Sequence, residues 1–204
     1  MKPIILLLFI YLAAFYSHAQ SIPEQCKLDC IHPFGKILGT SPTGVNAYSN
    51  CSNQCVNPEP QFTNEIFTGI KWQCVEYARR WLLVNKQVVY GDVDIAEDIW
   101  NLEFVRSPDK SRQYKFLSIV NGAKDINLQR GDLLIYSRAF YGTGHVAVVL
   151  NVDESKQRIK VGEQNFSNQK WSDDFAREIQ YIKQNDRTWL LDEYLIGWKR
   201  AVLH

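Results

Sequence analysis

The sequence predicts an α+β domain, with helices in its earlier part packed on an antiparallel β-sheet built from its later part. Three observations carry this. From Cys74 onward, Ala78, Trp81, Leu82 and Asn85 recur at the i+4, i+7, i+8 and i+11 spacing of an amphipathic helix running to about Lys86. Asp94-Ile95-Ala96-Glu97 reads as an acidic N-cap with Glu three residues on, ahead of Ile99 and Trp100, and predicts a second helix. After Pro108 the pattern changes to short apolar and β-branched runs, which predict strands.

Residues 4–16 form an unbroken apolar run of about 13 residues behind one basic residue, Lys2. That is the length of a signal-peptide core and falls short of the ~20 apolar residues that span a bilayer. Ser17 and Ala19 are small and flank a single residue, so cleavage is expected after Ala19. The expectation is a signal peptide over 1–19 and a secreted or otherwise exported chain with no stable membrane insertion; no later run is long enough to span. Residues 20–66 are expected to be a loop-rich arm of the same domain, because Pro23, Pro33, Pro42, Pro58 and Pro60 are interleaved with Gly, Ser and Asn. The core is expected over 67–204. Within it, strands are predicted at 133–136 and 145–150, a turn at 153–156, a returning strand at 158–165, and further strands at 176–183, 189–191 and 195–202. Lys plus Arg is 23 against 22 for Asp plus Glu, a near-neutral balance that argues against a nucleic-acid partner.

Four of the five cysteines fall in two tight pairs, Cys26/Cys30 and Cys51/Cys55. In an exporting compartment they read as two disulfides in any of the three pairings that four cysteines allow. Zinc is the competing reading, since Cys-x3-Cys spacing fits a tetrahedral site. Cys74 is left over, at the start of the predicted helix. There the positive end of the backbone dipole favours thiolate over thiol, and thiolate is the nucleophile. A nucleophile needs a base. Of the four histidines, His18 lies in the signal segment, His204 is terminal, His32 lies in the arm, and His145 opens a strand after Gly142-Thr143-Gly144. Glycines there permit close approach of the backbone, so His145 is the candidate base. An orienting group for its imidazole is expected from the returning strand, where Glu163 and Asn165 share one face. Loop length decides which lies nearer. A carboxylate also stabilises the imidazolium, which favours Glu163, with Asn165 behind it. The Cys74 backbone N–H and Gln73 are candidate oxyanion donors, and Arg79 a candidate to steer a carboxylate, either Glu163 or one on the substrate.

The run Trp72-Gln73-Cys74-Val75-Glu76-Tyr77-Ala78-Arg79-Arg80-Trp81-Leu82, with Gly144-His145-Val146-Ala147 and Glu163-Gln164-Asn165, resembles the CHAP family of cysteine, histidine-dependent amidohydrolases/peptidases. In particular it resembles the amidase domain of the bifunctional glutathionylspermidine synthetase/amidases and their trypanothione relatives. Pro33-Phe34-Gly35, Leu38-Gly39, Gly44-Val45, Tyr48-Ser49, residues 93–100 and Ile196-Gly197-Trp198 extend the likeness over nearly the whole mature chain. The resemblance implies a papain-like fold and amide hydrolysis through a thioester. Cys74 would be nucleophile, His145 base and then acid, Glu163 the orienting residue and Gln73 part of the oxyanion hole, with Arg79 and Asn165 in support. It implies neither metal nor cofactor. Export, with the extra cysteine pairs, makes cell-wall peptide a candidate substrate beside a glutathione–polyamine conjugate. The alternative from another class is a disulfide-braced module that binds wall peptide or a protein partner without turnover. Asn50-Cys51-Ser52 and Asn165-Phe166-Ser167 match the glycan acceptor pattern, and Asn165 is expected to be unmodified because a glycan there would block the site.

Overall fold

The computed structural model describes residues 22–203. The expected signal peptide, 1–19, and His204 lie outside the described residues. Among the described residues there is one α-helix, α1 (Cys74–Lys86), and no helix long and apolar enough to cross a membrane. Two hairpins precede it, β1 (Ile37–Thr40) with β2 (Asn46–Tyr48), and β3 (Pro60–Thr63) with β4 (Ile66–Ile70). The other strands are β5 (Val89–Tyr90), β6 (Phe104–Arg106), β7 (Gln113–Val120), β8 (Leu133–Tyr136), β9 (His145–Asp153), β10 (Arg158–Gly162), β11 (Arg177–Gln184), β12 (Arg187–Leu190) and β13 (Leu195–Val202). They form one antiparallel sheet in the order β12-β11-β10-β9-β8-β13-β7-β6-β5.

The antiparallel sheet agrees with expectation; the helices-first order does not. Four strands stand before α1, and the second expected helix is a six-residue 3-10 segment, Ala96–Asn101. Its side chains explain the difference. Asp94 does not cap it; the Asp98 carboxylate instead accepts the Ile95 N–H at 3.4 Å. Glu97, read from sequence as the capping partner, reaches out to the backbone N–H and guanidinium of Arg138. At the far end, the Trp100 and Leu102 carbonyls are taken by the Lys199 ammonium at 3.2 and 2.5 Å, so the backbone is satisfied without further helical turns.

The central strand β8 is buried along its whole length, which explains why Leu133-Leu134-Ile135-Tyr136 is continuously apolar rather than alternating. Leu133 and Ile135 join Val146, Val148 and Leu150 of β9 in a core against Tyr77, Ala78, Trp81 and Leu82 of α1. Leu134 and Tyr136 join a second core with Ala147, Val149, Ile159, Val161, Ile179, Tyr181 and Trp198, covered by Leu128 and its neighbours Ala123 and Ile126 rather than by a helix. Lateral contact of α1 with β9 and β4 thus brings the N-terminus of the helix to the head of β9.

The paired cysteines form Cys26–Cys55 and Cys30–Cys51, which consumes all four sulfurs and removes them as zinc ligands. The second bridge is nested inside the loop closed by the first. Cys26, Cys51 and Cys55 are buried in a small cluster of their own beside Phe34.

Candidate active site

Cys74 is the first residue of α1, buried at 8% exposure, and the only free cysteine among the described residues. Gln73 before it has extended backbone (φ −83, ψ 157) and starts the helix with its carbonyl, which accepts from Tyr77 N–H at 3.2 Å. The Cys74 backbone N–H has no carbonyl behind it within the helix and is free in principle to meet an anion.

His145 begins β9, paired with Tyr136 of β8. The turn before it is tight: Gly144 has φ +71, and a Cβ there would lie 2.3 Å from the Tyr136 carbonyl oxygen, so only glycine fits. Imidazole and thiol lie close enough for each to shift the ionisation of the other. The other side of the ring is occupied: Nε2 donates to Glu163 Oε2 at 2.9 Å, which leaves Nδ1 for the sulfur. The rings of Phe166, Tyr136 and Phe140 stand 5.2, 5.6 and 6.2 Å from the imidazole and enclose it.

Burial alone pushes the Cys74 thiol up. The charge and hydrogen bond of His145, with the N–H groups of Val146 and Val75, overcome it and hold the thiol below its ordinary range. Burial likewise pushes His145 down, and the facing sulfur and the Glu163 carboxylate raise it to about 9. Glu163 is lowered against its own burial by the His145 hydrogen bond and by Arg177. The arrangement therefore favours a thiolate–imidazolium pair.

Glu163 rather than Asn165 reaches the imidazole because β10 ends at Gly162. Beyond it the chain turns, with Asn165 at φ +55, and the Asn165 amide instead donates to Gln73 Oε1 at 2.8 Å. Gln73 Nε2 in turn donates to the Cys55 carbonyl at 3.1 Å, leaving one amide hydrogen. Arg79 does not meet Glu163. It donates to the Gly91 carbonyl at 2.7 Å, pairs with Asp92 at 3.0 Å and lies over the Tyr90 ring at 4.8 Å. There it lines a cleft of about 630 Å³ with Glu65, Phe67, Tyr90, Asp92 and Glu103. Tyr90 links that cleft to the first turn of α1, since its hydroxyl donates to the Val75 carbonyl at 2.6 Å.

Two residues that the sequence reading passed over hold these parts together. Gln164 is fully buried; its Nε2 donates to the Gln73 carbonyl and to Glu76 Oε2, both at 3.1 Å, and its Oε1 accepts the Tyr48 N–H at 2.8 Å. Arg177 pairs with Glu163 Oε1 at 2.7 Å. Gln164 stands inside the quoted Glu-Gln-Asn run, but nothing local marks its partners. Arg177 opens a strand that was predicted, and its nearness to Glu163 follows only from the pairing of Val161 with Arg177.

The CHAP domain model matches residues 65–165, the segment that holds Cys74, His145, Glu163 and Asn165. The chain belongs to the CHAP family. The chain is similar to part of the bifunctional glutathionylspermidine synthetase/amidase of Escherichia coli (strain K12), 31% identical over 186 residues, covering 81% of this chain and 29% of that protein. Trypanothione synthetase of Crithidia fasciculata is 29% identical over 174 residues, covering 85% of this chain and 26% of that protein. The glutathionylspermidine synthase of the same organism is 31% identical over 196 residues, covering 81% and 26%. The chain thus spans less than a third of the length of the curated relatives it matches.

Proposed function

We propose that this CHAP protein is a secreted cysteine amidase that cleaves a γ-glutamyl- or glycyl-linked amide, in a peptidoglycan peptide or a glutathione–polyamine conjugate, through a thioester. The observation that supports this best is the buried series Cys74, His145 and Glu163, in which each group accounts for the ionisation of the next. Cys74 is the nucleophile. With its proton on His145, the sulfur attacks the amide carbonyl, and the electron pair moves to the carbonyl oxygen. The Cys74 N–H and the remaining Gln73 amide hydrogen meet that oxyanion. As it collapses, the C–N bond breaks and His145 gives its proton to the leaving amine. His145 then takes a proton from water, hydroxide adds to the thioester, and the acid departs, leaving the thiolate beside the protonated imidazole as at the start. Glu163 keeps the imidazole oriented and its cation stabilised throughout.

We assign recognition of a substrate carboxylate to Arg79, which lines the cleft with its guanidinium beside Asp92. The cleft also carries Glu65, Asp92 and Glu103 with Arg106 and Lys110, a mixture suited to a zwitterionic peptide or a peptide–polyamine conjugate rather than a uniformly charged polymer. The relatives named for glutathionylspermidine support the second substrate; the proposed export supports the first.

The test is incubation of the purified protein with glutathionylspermidine and, separately, with peptidoglycan, following released amine. Amine release from one of them, abolished in Cys74→Ala, is expected. No release from either, together with a Cys74 thiol that iodoacetamide labels no faster than free cysteine, would overturn the enzymatic reading.

A further inference from the structure

Glu163 has two carboxylate oxygens, and His145 uses one. The other is bonded to Arg177 Nε at 2.7 Å. The rest of that guanidinium is also committed: Nη1 to Asp192 Oδ2 at 2.8 Å, and Nη2 to the Tyr136 hydroxyl at 2.9 Å. Tyr136 closes the ring by donating to the same Asp192 oxygen at 2.6 Å. The guanidinium lies 4.5 Å from the centre of Phe166, one of the rings that enclose the imidazole. Side chains from β9 and β11 therefore meet on one carboxylate that has almost no access to water, and side chains from β8 and the segment after β12 hold the second of them.

We propose that Arg177, steadied by Asp192 and Tyr136, is a positioning residue of this site: it occupies the Glu163 oxygen that His145 leaves free and so fixes the carboxylate that aims the imidazole at Cys74. This inference rests on the amidase reading above and adds a residue to it. Charge alternates along the series from sulfur to Asp192, negative and positive in turn. A guanidinium suits the place because its fork binds two carboxylates and a hydroxyl at once, whereas an ammonium offers no planar fork. Arg177 is partly exposed and touches neither sulfur nor imidazole through a hydrogen bond. Its effect on chemistry passes through Glu163.

The titratable and charged groups around Glu163 are Tyr77 from α1, Tyr136 from β8, His145 from β9 and Arg177 from β11, with Cys74 beyond His145 and Asp192 beyond Arg177. Of these, His145 and Arg177 are the two that bring positive charge. Without Arg177, the buried carboxylate keeps one cationic partner, and the acid at which it takes up a proton becomes weaker. The thiolate–imidazolium pair then collapses at a higher pH.

The experiment is the pH profile of iodoacetamide labelling of Cys74, a readout independent of substrate, run beside thermal melts. In Arg177→Met and Arg177→Gln, the acid limb is expected to move upward by about 1–3 pH units, the usual effect of one adjacent opposite charge. Arg177→Lys is expected to return it most of the way. A merely structural role predicts a lower melting temperature with the limb unmoved. The inference is overturned if either charge-free variant melts cooperatively and keeps the parent's acid limb. It is also overturned if Lys restores nothing. A parent protein without an activated thiol sinks the whole reading of the site, and this inference with it. An activated parent whose profile ignores Arg177 sinks this inference alone.

Discussion

A single proton decides when Cys74 is reactive. The thiol is lowered and His145 is raised to about 9, so both charged forms coexist between those two points. Labelling of Cys74 should rise with pH on the acid side of the ordinary thiol range. Hydrolysis should then fall as pH passes about 9, because a neutral imidazole has no proton for the leaving amine. In His145→Ala the largest lowering influences are gone and burial remains. Labelling at pH 7 should drop roughly tenfold or more, since an ordinary thiol is only a few per cent ionised there. Equal labelling rates in the two proteins would show that His145 does not govern the sulfur. Cys74 and His145 were legible because each stands in a distinctive local setting, a helix start and a glycine-preceded strand. Arg177 was not, because what matters about it is its neighbour across a strand pair.

At the scale of elements, α1 shows how a helix can carry a buried ion pair as part of its anchoring. Glu76 and Arg80, four residues apart, are bonded at 2.6 and 3.0 Å with almost no exposure. Glu76 also accepts from Thr68 of β4 at 3.0 Å and from Gln164. Arg80 donates to the Asn46 carbonyl at 2.9 Å. The pair thus ties the helix to β2, β4 and the segment after β10. Glu76→Ala leaves a buried guanidinium without its carboxylate, and a loss of about 3–5 kcal/mol is expected. For a chain of this size that corresponds to a melting temperature lower by roughly 6–20 °C. A change within a degree or two would mean that water replaces the carboxylate. The helix was readable to the residue from its spacing, and strands β8 and β13 from short apolar runs. The 3-10 segment was misread because Glu97 looks like a cap in sequence and serves as a brace to Arg138 in space. Hairpins β1–β2 and β3–β4 went unseen because their proline-rich setting signals turns and their strands are only three to five residues long.

For the whole molecule, the arm ahead of α1 forms part of the wall of the site. The Trp72 ring stacks on Tyr48 at 4.1 Å, the Trp72 backbone N–H donates to Asn50 Oδ1, and Gln73 holds the Cys55 carbonyl. The two disulfides close loops of similar size, separations of 29 and 21 residues, so each should stabilise by a similar amount, about 3–4 kcal/mol in the chain-entropy picture. Their effects on turnover should differ. Cys26→Ser/Cys55→Ser loosens the carbonyl that fixes Gln73, while Cys30→Ser/Cys51→Ser leaves that contact bridged. Urea melts of both double variants are expected to agree, with kcat falling further in the first. Equal kcat losses would show that the arm acts only as ballast. The two-bridge reading was available from composition, but the pairing was not, because it depends on how the arm folds back onto itself.

Asn50 has a practical bearing on how this protein is made. Its side chain is fully enclosed, with its amide nitrogen bonded to the Ser52 and Cys55 carbonyls and its oxygen bonded to Trp72. Yeast or mammalian secretory cells add sugars to growing chains before such a side chain is shut away. An oligosaccharide on that nitrogen leaves no room for the native arrangement, so the bacterial periplasm, which oxidises thiols without decorating asparagine in this way, is the better production route.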